Sequence, residues 1–266
     1  MSPAATLVET LEPIRSDPSQ AAVLLDIDGT LAPIVRHAAD ARVPEATRAL
    51  LIEIARRYRV VACVSGRRAA TARQVVAIGT ISYIGNHGAE LLRPGANQPE
   101  VDPDAAAWTA RVHAFAERVY TSEMQRLRVR AEDKDTIVAF HWRGAPDEQA
   151  AARAVEEIAG LALQEGLGVH RGRKVLEVRP PVLIDKGLGI TALLRRTPVA
   201  AALYAGDDAT DLDAFRALRT LVQSGDVRAA VCVAVRSDEG PPELASDADL
   251  VVDGTQGMRG RLEALL

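Results

Sequence analysis

Five short, nearly solid apolar runs constrain the fold of this chain more than any other feature. They are AAVLL (21–25), RVVACV (59–64), AALYA (201–205), AAVCVAV (229–235) and DLVVD (249–253). Runs of this length without polar alternation suit strands buried on both faces. Amphipathic segments lie between them. In PEATRALLIEIARRY (44–58), Ala46, Leu50, Ile54 and Tyr58 recur at four-residue spacing, and Pro44 suits a first helical turn. A short amphipathic N-terminal helix, a helix running to Val76 and another over DLDAFRALRTLV (211–222) are also expected. Buried strands alternating with amphipathic helices predict an α/β fold, a parallel sheet covered on both faces.

The middle of the chain follows another rhythm. Residues 103–121 read as helix, LRVRA (127–131) and TIVAFHW (136–142) as strands around a short acidic turn. A second helix covers 146–164, and GVHRG (168–172) and KVLEVRP (174–180) suggest two further strands. Helix-strand-strand occurs twice, with alternating strands, as in an antiparallel sheet with one open face. RPGANQPEVDPD (93–104) and Pro180-Pro181 suit hinges. The expected organisation is a discontinuous core, 1–102 with 180–266, carrying an inserted α+β module, 103–179.

Composition narrows the function classes. The 266 residues suffice for a large core, and a net charge of −4 is mild. No basic block or aromatic-studded basic stripe points to nucleic acid. Cys63 and Cys232 lie inside apolar runs, as reduced core residues do. The N-terminus lacks the pattern of a signal peptide and no run reaches membrane-span length, so a soluble, cytoplasmic protein is expected.

Three apolar strands end in polar clusters: DIDGT (26–30), SGR (65–67) and GDDATD (206–211). In open parallel sheets, ligands bind outside the carboxyl ends of the strands, where remote segments converge. Asp26 and Asp28 are i and i+2 and share a face in an extended segment. An EF-hand loop is excluded, because Thr30, Leu31 and His37 stand where an oxygen ligand, a glycine and a glutamate are needed. Asp26, Asp28, Asp207 and Asp208 crowd negative charge into one cleft. A phosphate dianion about 4 Å from one carboxylate meets roughly 8 kcal/mol of repulsion at an effective dielectric of about 20. A hard divalent cation on oxygen ligands removes that obstacle, and Mg²⁺ suits the donor set. Lys186 adds a compensating charge.

DIDGT, SGR, the lysine of IDKG and GDDATD, in that order, resemble the haloacid dehalogenase superfamily of phosphotransferases. The resemblance implies a Rossmann-like core with an inserted C2-type cap. It makes Asp26 the nucleophile and Asp28 the general acid and base. Ser65 and Lys186 would hold the phosphoryl oxygens. Asp26, the Asp28 carbonyl and Asp207 would bind Mg²⁺, with Asp208 and Asp211 orienting its surroundings.

LDIDGTLAPI, YIGNHGAEL, EDKDTIVAFHWR, KVLEVRPPVLIDKG and YAGDDATDLDAF further resemble the trehalose-6-phosphate phosphatases. Leu212 departs from that family's acidic position. By this resemblance Gly66, Arg67, Asn86 and His87 would contact substrate from the core, and Glu132, Lys134, Arg143, Lys174 and Glu177 from the cap. The implied activity is that of a phosphoric monoester hydrolase: Mg²⁺-dependent hydrolysis of trehalose 6-phosphate through an aspartyl-phosphate. Alternatives are a phosphatase for sucrose 6-phosphate or mannosyl-3-phosphoglycerate, and a non-catalytic sugar-phosphate sensor. The expected partner is a small sugar phosphate, with a functional link to a trehalose-phosphate synthase; the expected state is a monomer.

Overall fold

The computed structural model describes residues 3–35, 38–237 and 240–266, with the side chains of residues 3–8 left out; His37 falls outside the described residues. Its contacts divide the chain into two units, residues 1–100 with 184–266 and residues 101–183. Twelve strands occur among the described residues. In chain order they are β1 Ala21–Leu25, β2 Val60–Val64, β3 Ser82–Gly85, β4 Glu90–Leu92, β5 Glu100–Val101, β6 Arg130–Asp133, β7 Val138–His141, β8 Gly168–Gly172, β9 Val175–Arg179, β10 Ala201–Gly206, β11 Ala229–Arg236 and β12 Leu250–Asp253.

The first unit is built on a sheet of order β12-β11-β10-β1-β2-β3-β4-β5. The pairs from β12 through β3 are parallel, and β4 turns back antiparallel on β3. All five residues of β1 are buried, which is why its sequence reads as solid apolar. Ala21, Val23 and Leu25 pack into one core and Ala22 and Leu24 into the other. The first core is closed by helices Glu45–Arg57, Ala69–Val76 and Gly254–Ala264, through Leu51, Ile54, Val76, Met258 and Leu262. The second is closed by helices Lys186–Arg196 and Asp211–Gln223, through Ile190, Leu194, Phe215 and Leu218. Each such leucine contributes about 1.5–3 kcal/mol on burial. Because β1 pairs with β2 on one side and β10 on the other, its carboxyl end is the switch point of the sheet, the place where open α/β sheets bind their ligands.

The second unit is an antiparallel sheet of order β6-β7-β9-β8. Helices Thr109–Val119 and Glu148–Gln164 cover one face, packing on Val138, Phe140, Leu176 and Val178.

Several expectations need correction. The helix expected over 103–121 is broken after Ala106 and restarts at Thr109. The first strand of the second unit is Arg130–Asp133 rather than 127–131, because Met124 to Val129 close a helical turn. The helix over DLDAFRALRTLV starts at Asp211, as expected, and runs one residue further, to Gln223. The sequence reading also did not assign β3 and β4, whose four- and three-residue lengths are too short to show a period.

Candidate active site

Asp26 continues the β1 ladder by one residue, its backbone N–H donating to Ala205 O at 2.8 Å. Its carboxylate thus sits at the end of the central strand, buried. Lys186 opens the helix Lys186–Arg196, whose N-cap Asp185 accepts from the Leu188 N–H. The ammonium, 2% exposed, donates to Asp26 Oδ1 and to Asp211 Oδ1, each at 2.7 Å. Burial opposes its charge, but Asp211 and Asp26 outweigh burial and hold Lys186 well above the ordinary lysine range.

Asp26, Asp207 and Asp211 each bring a carboxylate oxygen within 4.8 Å of the others. Burial raises all three, with Lys186 pulling the other way. Asp207, further raised by Asp211 and Asp208, is pushed up to about 7. Burial also opposes charge on Asp208, yet Lys186, the bonds from Thr210 and His87 outweigh it and leave Asp208 below the ordinary value.

Asp211 is already fully engaged. Its Oδ1 accepts from Lys186 and from the Tyr204 hydroxyl at 2.5 Å, and its Oδ2 accepts from the N–H groups of Asp207 and Asp208 at 2.8 and 2.9 Å. Two bonds per oxygen use the lone pairs of a carboxylate. Asp211 therefore organises the cluster, and Asp26 and Asp207 are its less fully bonded carboxylates. Gly29, at φ +90°, lies against the Asp207 carboxylate; a Cβ there would come 2.0 Å from Oδ2. The glycine of DIDGT is required by both backbone and space.

The SGR segment follows β2. Ser65 is buried, its N–H bonded to Ile84 O, and its Oγ accepts from the Arg67 N–H at 3.1 Å. The Arg67 guanidinium grips Asp28: Nε to Oδ2 and Nη2 to Oδ1, both 2.7 Å. The turn Asn86–Gly88 is tied to this segment, Asn86 N–H to Arg67 O at 2.8 Å and His87 N–H to Ser65 O at 3.0 Å. Asn86 and His87 adopt left-handed φ of +46° and +57°. His87 lays its ring on Gly66, where a Cβ would come 2.5 Å from the imidazole.

In the second unit the expected residues sort into two groups. Across the sheet, Glu132, Ala139, Glu177 and His170 form one row, on the face opposite the helices. Glu177, 3% exposed, accepts from Lys134 Nζ at 2.7 Å and from Arg179 Nε at 2.9 Å. Glu132 pairs with His141 Nε2 at 2.8 Å. Lys174 lies apart from this row, its Nζ bonded at 2.6 Å to Glu148 on the helix Glu148–Gln164. The Lys174 bond, the Gly144 N–H and the charges of Lys174 and Arg143 hold Glu148 below the ordinary glutamate range.

A family model described as trehalose-phosphatase matches residues 24–255. The chain belongs to the trehalose-phosphatase family. It is 30% identical to a probable trehalose-phosphate phosphatase of Sinorhizobium fredii, over 99% of this chain and 94% of that protein. It is 32% identical to a trehalose 6-phosphate phosphatase of Zea mays over 77% of this chain. The chain spans 61% of the maize protein and 59% of a related rice protein, about three fifths of each. Its fold is shared with the C-terminal domain of Candida albicans trehalose-6-phosphate phosphatase, at a TM-score of 0.76 and 20% identity, covering 97% of this chain and 96% of that one. The architecture is haloacid-dehalogenase-like.

Two residues of this trehalose-phosphatase family member escaped the sequence reading. Glu90, buried, accepts from the Ala69 N–H at 2.7 Å and from Asn86 Nδ2 at 2.8 Å, joining the first turn of helix Ala69–Val76 to the 86–88 turn. A glutamate heading the otherwise apolar ELL strand was its only signal. Tyr204, the hydroxyl on Asp211, was hidden in the apolar run AALYA.

Proposed function

We propose that this chain is a Mg²⁺-dependent phosphatase that hydrolyses trehalose 6-phosphate to trehalose and inorganic phosphate. The reading rests above all on one observation. Asp26 is a buried carboxylate at the sheet's switch point, fixed by Lys186 and within 4.8 Å of Asp207. Its chemical setting is that of a nucleophile held beside a cation site.

The donor set fits a hard divalent ion. It consists of oxygens only, and three buried carboxylates against one lysine leave an excess of negative charge. Asp26, Asp207 and the Asp28 carbonyl would hold Mg²⁺, with Asp208 and Asp211 setting their surroundings. Bound there, the ion would screen the charge of the phosphoryl oxygens from the carboxylates.

The chain's own groups account for the remaining chemistry. An Asp26 oxygen attacks phosphorus as the ester P–O bond breaks, and Asp28 gives its proton to the departing sugar oxygen. Water then attacks the aspartyl-phosphate, its proton passing to Asp28, and Asp26 is regenerated with release of phosphate. Ser65 Oγ and Lys186 Nζ hold phosphoryl oxygens through both halves. Gly66, Asn86 and His87 shape the substrate side of the first unit. Sugar recognition falls to the second unit, through Glu132, Lys134 and Glu177, and through Arg143 and Lys174 beside Glu148. Action in the cytoplasm, as a monomer supplied by a trehalose-phosphate synthase, completes the proposal.

Phosphate release measured across trehalose 6-phosphate, sucrose 6-phosphate, mannosyl-3-phosphoglycerate and glucose 6-phosphate tests it. The highest kcat/KM is expected on trehalose 6-phosphate, and Asp26→Asn is expected to lose more than about 10³-fold. Equal or better turnover of glucose 6-phosphate would remove the disaccharide assignment.

A further inference from the structure

Asp28 must deliver a proton and later collect one, so its carboxyl has to be aimed within about 3 Å of two successive oxygens. Nothing in DIDGT supplies that aim. The Asp28 side chain is 38% exposed, and a carboxyl on a short, partly solvated stem samples several rotamers unless it is held.

The holding group is Arg67. Its Nε and Nη2 bond the two oxygens of Asp28 as a fork, and its Nη1 donates to Ala38 O at 2.9 Å. Its own N–H bonds Ser65 Oγ. The guanidinium thereby joins two segments, the DIDGT turn and the 38–40 turn, and the residue's own backbone N–H fixes its base in the SGR turn. A planar fork on a planar carboxylate fixes direction as well as distance, which a lysine's point charge does not. At least three of the guanidinium's N–H groups are committed to protein acceptors, which argues against the sequence-based expectation that Arg67 grips the substrate.

We propose that Arg67 is the positioning residue for Asp28, setting its aim for both proton transfers; this rests on the phosphatase reading given above. Both arms of the fork are engaged in the structure. When Asp28 carries the proton, its other oxygen still accepts from Arg67. The carboxyl stays anchored while the protonated oxygen turns to the leaving group.

Leaving-group chemistry tests this. Nitrophenolate departs from p-nitrophenyl phosphate without needing a proton, whereas the sugar oxygen of trehalose 6-phosphate requires one. With Arg67→Met, kcat/KM on trehalose 6-phosphate is expected to fall about 10²-fold, the typical worth of a placed general acid. The loss on p-nitrophenyl phosphate should be at least tenfold smaller. Acid-quenched phosphoenzyme should accumulate on that ester, because water attack has lost its aimed base. The inhibition constant of inorganic phosphate should stay within about twofold of wild type. Arg67→Lys, which can hold one oxygen but not both, should fall between.

In an Asp28→Asn background, Arg67→Lys should cost nothing more, a non-additivity that a general folding defect would not produce. Equal losses on the two esters, or a phosphate inhibition constant weakened tenfold, would overturn the inference and make Arg67 a phosphate-binding or purely structural residue. A wild-type protein that releases phosphate from neither ester would overturn the phosphatase reading along with it.

Discussion

Lys186→Met isolates the electrostatic logic of the site. Lys186 is the buried cation between Asp26 and Asp211, with Asp207 inside the same cluster. Methionine fills a similar volume but strands the carboxylates, and breaking a buried ion pair from one side costs about 3–5 kcal/mol. Two bonds of 2.7 Å are lost, so the upper part of that range is expected in metal-free protein at pH 8. Thermal unfolding followed by circular dichroism should show a fall of roughly 10 °C.

The pH dependence has a definite sign. Burial raises Asp26 and sets Asp207 at about 7, so the folded state holds more protons than the unfolded one between the ordinary value of 3.8 and those raised values. Stability contributed through these groups therefore falls as pH rises, and more steeply without Lys186. The deficit of the variant should be largest at pH 8 and should shrink as pH drops through 7 and Asp207 takes up its proton. Mg²⁺ should recover part of it. A deficit below about 1 kcal/mol, or one that does not change with pH, would refute the reasoning.

Three further outcomes are expected. Gly29→Ala places a Cβ 2.0 Å from Asp207 Oδ2 at a φ of +90°, and should cost about 1–3 kcal/mol in denaturant unfolding together with a weaker Mg²⁺ titration. Mg²⁺ binding should release protons below pH 7, because Asp207 is raised to about 7; calorimetry in buffers of different ionisation heat should show affinity rising from pH 6 and flattening above 7. Glu90→Gln keeps one acceptor oxygen and must leave either the Ala69 N–H or the Asn86 amide without its bond, a loss of about 1–3 kcal/mol readable in urea melts.

What the sequence made legible follows from where each feature is encoded. The buried strands were visible because β1, β2, β10 and β11 are covered on both faces and so carry almost no polar residues. Asp26, Lys186, Asp207 and Asp211 could be named because each lies at a strand's carboxyl end or a helix start, where the chain turns polar at once. Partner choice was not legible. Arg67 could have faced substrate or protein, and its two bonds to Asp28 depend on the path of segments 39 residues apart. Lys174 sits at a left-handed φ of +55° in the β8–β9 turn and bonds Glu148, 26 residues earlier, a pairing no spacing rule foretells. Glu90 and Tyr204 look like an odd charge and an ordinary strand aromatic until their tertiary partners are known.

The central claim is that phosphate passes through Asp26, and trapping the covalent state tests it most directly. The enzyme, mixed with trehalose 6-phosphate and Mg²⁺ and quenched in acid within its first turnovers, is reduced with borohydride and digested for mass spectrometry. Borohydride converts an acyl phosphate to the alcohol, so the peptide containing Asp26 should carry homoserine at that position in wild type and not in Asp26→Asn. Sustained turnover with no modified Asp26, or with modification at another carboxylate, would contradict it.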